Sequence, residues 1–182
     1  MVSTTLAADS VPVCLTPTFK EGEMSKIVPC LWFDGQAEEA AELYVALLPD
    51  SRIDKIMRSP ADNPSTPTGA VLTVEFTLAG QQFIGLNGGP QFPFTEAVSF
   101  TINCEDQAEV DRYWNALIAD GGVPSHCGWL KDKFGLSWQI IPKLLPELLT
   151  GADRERAGRV MQAMLKMEKI DVEALRNAVE GG

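Results

Sequence analysis

The chain repeats one pattern, and that repetition constrains the fold more than any composition figure does. An extended run, KIVPCLWF (Lys26–Phe33), leads into a helical run, QAEEAAELYVALL (Gln36–Leu48), and then into further extended segments. Further on, AVSFTINC (Ala97–Cys104) leads into DQAEVDRYWNALIAD (Asp106–Asp120) and again into extended segments. Two similar strand–helix–strand units in one short chain predict an internally duplicated module. Two curved half-sheets meeting about a pseudo-twofold would form a concave site.

Within 182 residues this amounts to one ordinary domain, or two small modules sharing a core. The formal charge of −10 argues against a nucleic-acid partner, which needs a basic face, and against an anionic membrane surface. No apolar run reaches the roughly 20 residues that span a bilayer. The four cysteines (Cys14, Cys30, Cys104, Cys127) form no CxxC pair, and the first residues have neither the basic start nor the apolar core of a secretion signal. The expectation is reduced thiols in a cytoplasmic protein. Residues 1–24 are rich in Ser, Thr and Pro and without periodicity, and are expected to be a loose extension. The paired modules are expected over 25–142 (25–90 and 91–142), with a C-terminal helical segment over 143–182.

Along the chain, Ala37, Ala40, Tyr44, Leu47 and Leu48 fall on one helical face, with Glu38, Glu39 and Glu42 towards water. SRIDKIMR (Ser51–Arg58) reads as a strand, and SPADNPSTPT (Ser59–Thr68), with three prolines, as a loop placed to lie over the mouth of a site. The second helix opens with a capping-box pattern, Asp106 with Glu109, and buries Val110, Tyr113, Trp114, Leu117 and Ile118. CGWLKD (Cys127–Asp132) and LSWQIIP (Leu136–Pro142) read as strands. The amphipathic C-terminal segment carries a stripe of Val160, Met161, Met164, Leu165 and Met167, a core or oligomer contact with a ligand surface as the alternative.

Alternation divides each strand into a helix-packing face and a polar face. In GAVLTVEFTL, Val74, Phe76 and Leu78 separate from Thr73, Glu75 and Thr77. If Ile84 and Leu86 join the helix-packing set, an odd loop is required near Gly80–Gln82, and Glu75 then stands opposite Asn87. Ser99 and Thr101 separate from Val98, Phe100 and Ile102, and Gln139 from Trp138 and Ile140. The polar cup is thus expected to hold Thr73, Glu75, Thr77, Asn87, Ser99, Thr101 and Gln139, with Trp129 as an aromatic wall. A wet sheet face explains such a set equally simply. Glu75 favours a site: a carboxylate on a strand otherwise fit for burial is a candidate general base. A solvated or partner-satisfied glutamate is the alternative.

The runs PCLWFDGQAEEAAELY, VLTVEFTLAGQQFIGLNGGPQF, FTINCEDQAEVDRYW and CGWLKDKFGLSWQIIP together resemble the PhnB-like branch of the vicinal oxygen chelate superfamily, which includes glyoxalases, extradiol dioxygenases and the fosfomycin and bleomycin resistance proteins. The resemblance runs from Lys26 into the C-terminal segment. It implies an α+β fold: two βαβββ modules forming a concave mixed sheet, helices packed outside, C-terminal helices, and usually a homodimer. Metal-dependent relatives hold a divalent ion with His and Glu from four cup strands, and the matching positions here are Pro29, Gly85, Ala97 and Gln139. Three of these offer no side-chain ligand, so no metal and no cofactor is expected. The one histidine, His126, lies outside that pattern.

Members of this branch are often labelled demethylubiquinone methyltransferases. The glycines of GLNGGP (Gly85, Gly88, Gly89) follow a strand and open no helix, so they read as a turn closing the first module, not as a nucleotide-binding loop. No GxSxG elbow or HExxH occurs. Three functions therefore compete: a metal-independent binder of a small polar or aromatic molecule; an enzyme with Glu75 as general base and Asn87 and Gln139 orienting a carbonyl or phenol; and an interaction protein whose signature reflects dimer packing.

Overall fold

The computed structural model describes residues 25–181; the N-terminal extension expected over 1–24 lies outside the described residues, as does Gly182. The chain divides into two compact units, Met1–Pro93 and Phe94–Gly182.

In the first unit, β1 (Cys30–Phe33) leads into α1 (Ala37–Leu47), followed by β2 (Arg52–Arg58), β3 (Val71–Leu78) and β4 (Gln81–Asn87). The sheet order is β1-β4-β3-β2, with β1 parallel to β4 and the other pairs antiparallel. The helix-facing side is apolar. Leu31, Phe33, Val74, Phe76, Leu78 and Phe83 are buried with Ala37, Ala40, Ala41 and Tyr44 of α1. Phe76 stacks on Phe83 with centroids 5.5 Å apart, and Tyr44 lies 6.5 Å from Phe76. Small residues let the helix sit close: a Cβ built on Gly85 would stand 3.2 Å from Ala37 Cβ. The apolar face of this helix is mostly alanine, so its burial stabilises through close packing more than through side-chain bulk.

The β3–β4 register departs from the expectation. Leu78 pairs with Gln81, so the turn is the two residues Ala79-Gly80, at φ 46° and 82°. Two consecutive positive φ values make the hairpin turn whose twist matches the strands. An even turn pairs Glu75 with Ile84 and Thr73 with Leu86, which brings Ile84 and Leu86 to the polar face and sends Gly85 and Asn87 to the helix side.

The second unit repeats the plan with β5 (Ser99–Cys104), α2 (Gln107–Ile118), β6 (Val123–Pro124), β7 (Trp129–Lys131) and β8 (Ser137–Pro142), in the order β5-β8-β7-β6. Here β5 is parallel to β8, as β1 is to β4. Val110, Tyr113, Trp114 and Leu117 of α2 are buried, as are Ile102, Leu130, Trp138 and Ile140 on the sheet. The N-cap half of the expected capping box forms, Asp106 accepting from Glu109 N at 2.9 Å, while Glu109 Oε2 reaches one residue past the cap and accepts from Glu105 N at 2.9 Å. Asp132 organises the β7–β8 turn, accepting from Phe134 N, Leu136 N and Trp138 Nε1.

Three helices complete this unit: α3 (Leu144–Thr150), α4 (Arg154–Met164) and α5 (Val172–Glu180). Leu145, Leu148, Val160, Ile170 and Leu175 form their core, with Met164 and Met167 packed against it. The expected stripe therefore splits, because Met161 and Leu165 are exposed. The segment is tied to the second sheet through backbone. Cys127 N and Gly128 N donate to Met167 O and Glu168 O at 2.8 and 2.7 Å. Gln107 donates to Ile170 O and accepts from Val172 N. Lys169 pairs with Asp111 and holds that carboxyl below its ordinary range.

Candidate functional site

Strand β3 is buried along nearly its whole length, on both faces. One face is the hydrophobic core. The other carries Thr73, Glu75 and Thr77, 3%, 6% and 2% exposed. Register places Gln82, Ile84 and Leu86 beside them on β4, Cys30 and Trp32 beyond on β1, and Lys55 and Met57 on β2. Thus Glu75 has Ile84 as one cross-strand neighbour and Lys55 as the other. A register shift between Ile53 and Lys55 brings in Asp54, which accepts from Thr77 Oγ1 at 2.6 Å and pairs with Arg52 at 2.7 Å. A buried carboxylate on a strand whose opposite face already supplies the core contributes little to packing and carries a desolvation cost. That combination marks the face as a candidate site.

Asn87 does not join it. Its Oδ1 accepts from Ala37 N at 2.9 Å, its Nδ2 donates to Val71 O at 2.9 Å, and its carbonyl receives Ser65 Oγ and Thr66 Oγ1. It caps α1 from the sheet and pins the 59–68 loop, which is further ordered by Asn63 accepting from Ser65 and Thr66. Asn87 is therefore an architectural residue, separated from Glu75 by the even turn.

The second unit brings four of the named residues together. Thr101 pairs with Gln139 and Gln139 with Trp129, so the three stand in one row; Ser99 lies in the row beside it, and Gln139 Nε2 donates to Ser99 Oγ at 2.9 Å. This face is less buried than its counterpart, with Thr101 exposed and Ser99, Trp129 and Gln139 intermediate. Two residues absent from the expected set share it: Ser137 and Lys131, paired with each other across β8 and β7. The alternation of LSWQIIP already carried Ser137, two positions from Gln139. Lys131 forms an ion pair with Glu96 that holds the Glu96 carboxyl below its ordinary range.

A metal does not fit these residues. Gly85, one of the four matching positions, faces α1, and its neighbours on the polar side are Ile84 and Leu86. Pro29 and Ala97 have no donor atom in the side chain, and among the described residues no group of three or more His, Cys, Asp and Glu is placed to hold an ion. The glycines of GLNGGP are likewise occupied by the protein itself. A Cβ on Gly88 would fall 2.2 Å from the Trp32 ring, and Trp32 Nε1 donates to Gly89 O at 2.7 Å. Phe92 packs edge-on against the same ring at 4.9 Å. The residues after β4 seat an indole; they do not form a cradle for a nucleotide-type methyl donor.

No helix among the described residues is long and apolar enough to cross a membrane. Comparison with known proteins gives a consistent family. The sequence model of the 3-demethylubiquinone-9 3-methyltransferase family matches residues 25–141. Among solved structures, a PhnB protein from Bacillus cereus is 35% identical, over 65% of this chain and 99% of that one, with a TM-score of 0.59. A Pseudomonas aeruginosa protein is 22% identical (65% and 98% covered, TM-score 0.49), and a glyoxalase/bleomycin resistance protein/dioxygenase domain from Frankia 13% (65% and 92%, TM-score 0.44). No curated protein matches the chain. With its duplicated strand–helix plan, two four-stranded mixed sheets and this matched range, the chain belongs to the 3-demethylubiquinone-9 3-methyltransferase family, of which the PhnB protein is a solved relative.

Proposed function

We propose that this protein binds a small polar or aromatic molecule on the polar faces of its sheets, without a metal, and that Glu75 is the principal polar contact. The observation that carries the reading is the burial of Glu75, at 6% exposure, among Thr73, Thr77 and Gln82 on the face of β3 opposite the core. Ser99, Thr101, Trp129 and Gln139 supply the corresponding contacts of the second unit. The repeated modules within 25–142 carry these faces, the helices of 143–182 complete the fold, and the functional unit is a homodimer in the cytoplasm. Support for the dimer comes from the resemblance, and support for the compartment from the cysteine usage.

Native mass spectrometry of the purified protein reads dimer mass, metal content and any retained small molecule in one measurement. A retained molecule in the wild type that is lost in Glu75→Gln, with unchanged melting temperature, is the expected result. About one equivalent of transition metal per chain would defeat the metal-independent reading.

A second reading assigns Glu75 a proton to move. A carboxylate beside two threonine hydroxyls, in a site from which water is largely excluded, is suited to abstract a proton from a bound carbonyl compound or phenol. A pH–rate profile displaced by Glu75→Gln would distinguish this from binding alone.

A further inference from the structure

The second unit contains a polar group that its own fold does not satisfy. Ser137 is 1% exposed, and its Oγ has no hydrogen-bond partner among the described residues. A buried hydroxyl left in this state costs free energy, and native proteins rarely retain one without a bound partner. Ser137 lies on the central strand β8, with Ser99 across one ladder and Lys131 across the other. The two serines stand side by side on this face, Ser137 covered and Ser99 half-buried. Ser99 Oγ already accepts from Gln139 Nε2, so its own hydrogen is the one it has to give. The row therefore offers two hydroxyl donors and one ammonium. That is an acceptor-binding set, opposite in sense to the carboxylate of Glu75 in the other unit.

We propose that Ser99, Ser137 and Lys131 form a carboxylate-binding subsite, in which Ser137 Oγ and Lys131 Nζ donate to the carboxylate of a small organic acid. The proposal rests on the ligand-binding reading of this sheet face and names the chemical group it receives. Glu96 shows what Lys131 accepts. Its carboxylate sits on Nζ, yet its side chain is 63% exposed and that of Lys131 35% exposed, so the pair is exchangeable. Glu96 precedes β5 in a segment without regular structure, and an incoming carboxylate would displace it from the ammonium with no change in sheet geometry. Trp129, one row along on the same face, gives an aromatic acid a surface for its ring.

The test uses the full chain with benzoate and its uncharged counterpart benzamide, followed by the indole N–H resonance of Trp129. Benzoate is expected to shift that resonance saturably and benzamide to fail. Ser137→Ala should weaken benzoate about tenfold, the scale of one hydrogen bond to a charged group. It should melt no lower than wild type, because the hydroxyl has no partner among the described residues. Lys131→Met should weaken benzoate by about tenfold as well, whereas Glu96→Gln should tighten it about two- to fivefold by releasing the ammonium. Equal binding of benzamide and benzoate would overturn the carboxylate assignment while leaving ligand binding on this face intact. Inorganic phosphate displacing benzoate at lower concentration would overturn it in favour of a phosphoryl group. If neither aromatic probe binds and Ser137→Ala changes nothing, the hydroxyl holds only water, and the binding reading of this face falls as well.

Discussion

The two units build the same strand–helix–strand plan and anchor its helix in opposite ways. In the second unit the anchor is local: Asp106 caps α2 from the adjacent residue, and Glu109 reaches back to Glu105 N. In the first unit Gln36 makes no side-chain cap, and the N-terminus of α1 is satisfied by Asn87, fifty residues away at the end of β4. A local cap stabilises its helix whether or not the sheet is formed. A cap supplied by a distant strand exists only once helix and sheet have docked, so it couples the two elements. The sheets differ correspondingly. The polar face of the first is buried, and that of the second is half open.

The largest effect expected concerns what only the second unit has. Its C-terminal helical segment buries Val160, Ile170 and Leu175 completely, and the α4–α5 connection accepts the backbone N–H groups of Cys127 and Gly128 at Met167 O and Glu168 O. Ending the chain after Gly151 would remove α4 and α5, uncover Leu145 and Leu148 of α3, and orphan those donors. The protein should become insoluble or change its association state by light scattering. A soluble product of unchanged association state would show that the second unit closes without α4 and α5, as the first closes without any such addition.

The comparison of caps is sharpened by a pair of substitutions. Asn87→Ala removes the partner of the buried Ala37 amide and of the half-buried Val71 carbonyl, which predicts a loss of about 2–4 kcal/mol. Asp106→Ala removes one exposed cap and should cost about 1 kcal/mol. Urea denaturation of both variants measures the difference, and equal losses would break the distinction between a coupling cap and a local one. Gly88→Ala is intermediate. Its methyl would overlap the Trp32 ring, so about 1–3 kcal/mol is expected as the ring is pushed off Gly89 O. Loss of the Trp32 indole hydrogen bond should appear as an upfield shift of its N–H resonance.

The same contrast explains what the sequence discloses. The α2 cap is legible because both partners lie within a few residues. The division of Thr73, Glu75 and Thr77 from Val74, Phe76 and Leu78 is legible because the period of a strand is two. So is the grouping of Ser99, Thr101 and Gln139. What alternation does not contain is the parity of the turn between two strands. Ala79 at φ 46° is unusual for a residue with a side chain, so the Leu78–Gln81 junction gives a weak two-residue turn signal. The expected odd loop moved Asn87 to the wrong face. Asn87 also looks like any amide at a strand end until the helix it caps is in place. Ser137 was visible in the alternation, but its lack of a partner is a property of the packed sheet, not of the string LSWQIIP.

The smallest effect compares the two parallel-paired strands at the start of each unit through their cysteines. Cys30 opens β1 on the polar face and is exposed, whereas Cys104 closes β5 on the helix side and is fully buried. Burial, reinforced by the nearby Glu109 carboxylate, pushes the Cys104 thiol up from 9.0 to about 12. In the unfolded chain the same thiol ionises near its ordinary value, so between these two values the unfolded state holds fewer protons. The contribution of Cys104 to stability is therefore full below pH 9 and is lost as pH rises towards about 12. Cys104→Ala should flatten the alkaline arm of the stability profile, after correction for the small cavity it leaves. Iodoacetamide at pH 8, followed by site-resolved mass spectrometry, should label Cys30 well before Cys104: desolvation raises both thiols, but Cys30 is open to the reagent and Cys104 is enclosed. Comparable labelling rates would show that the second unit opens around α2 on the timescale of the reaction, and that its local cap does not keep the helix on the sheet.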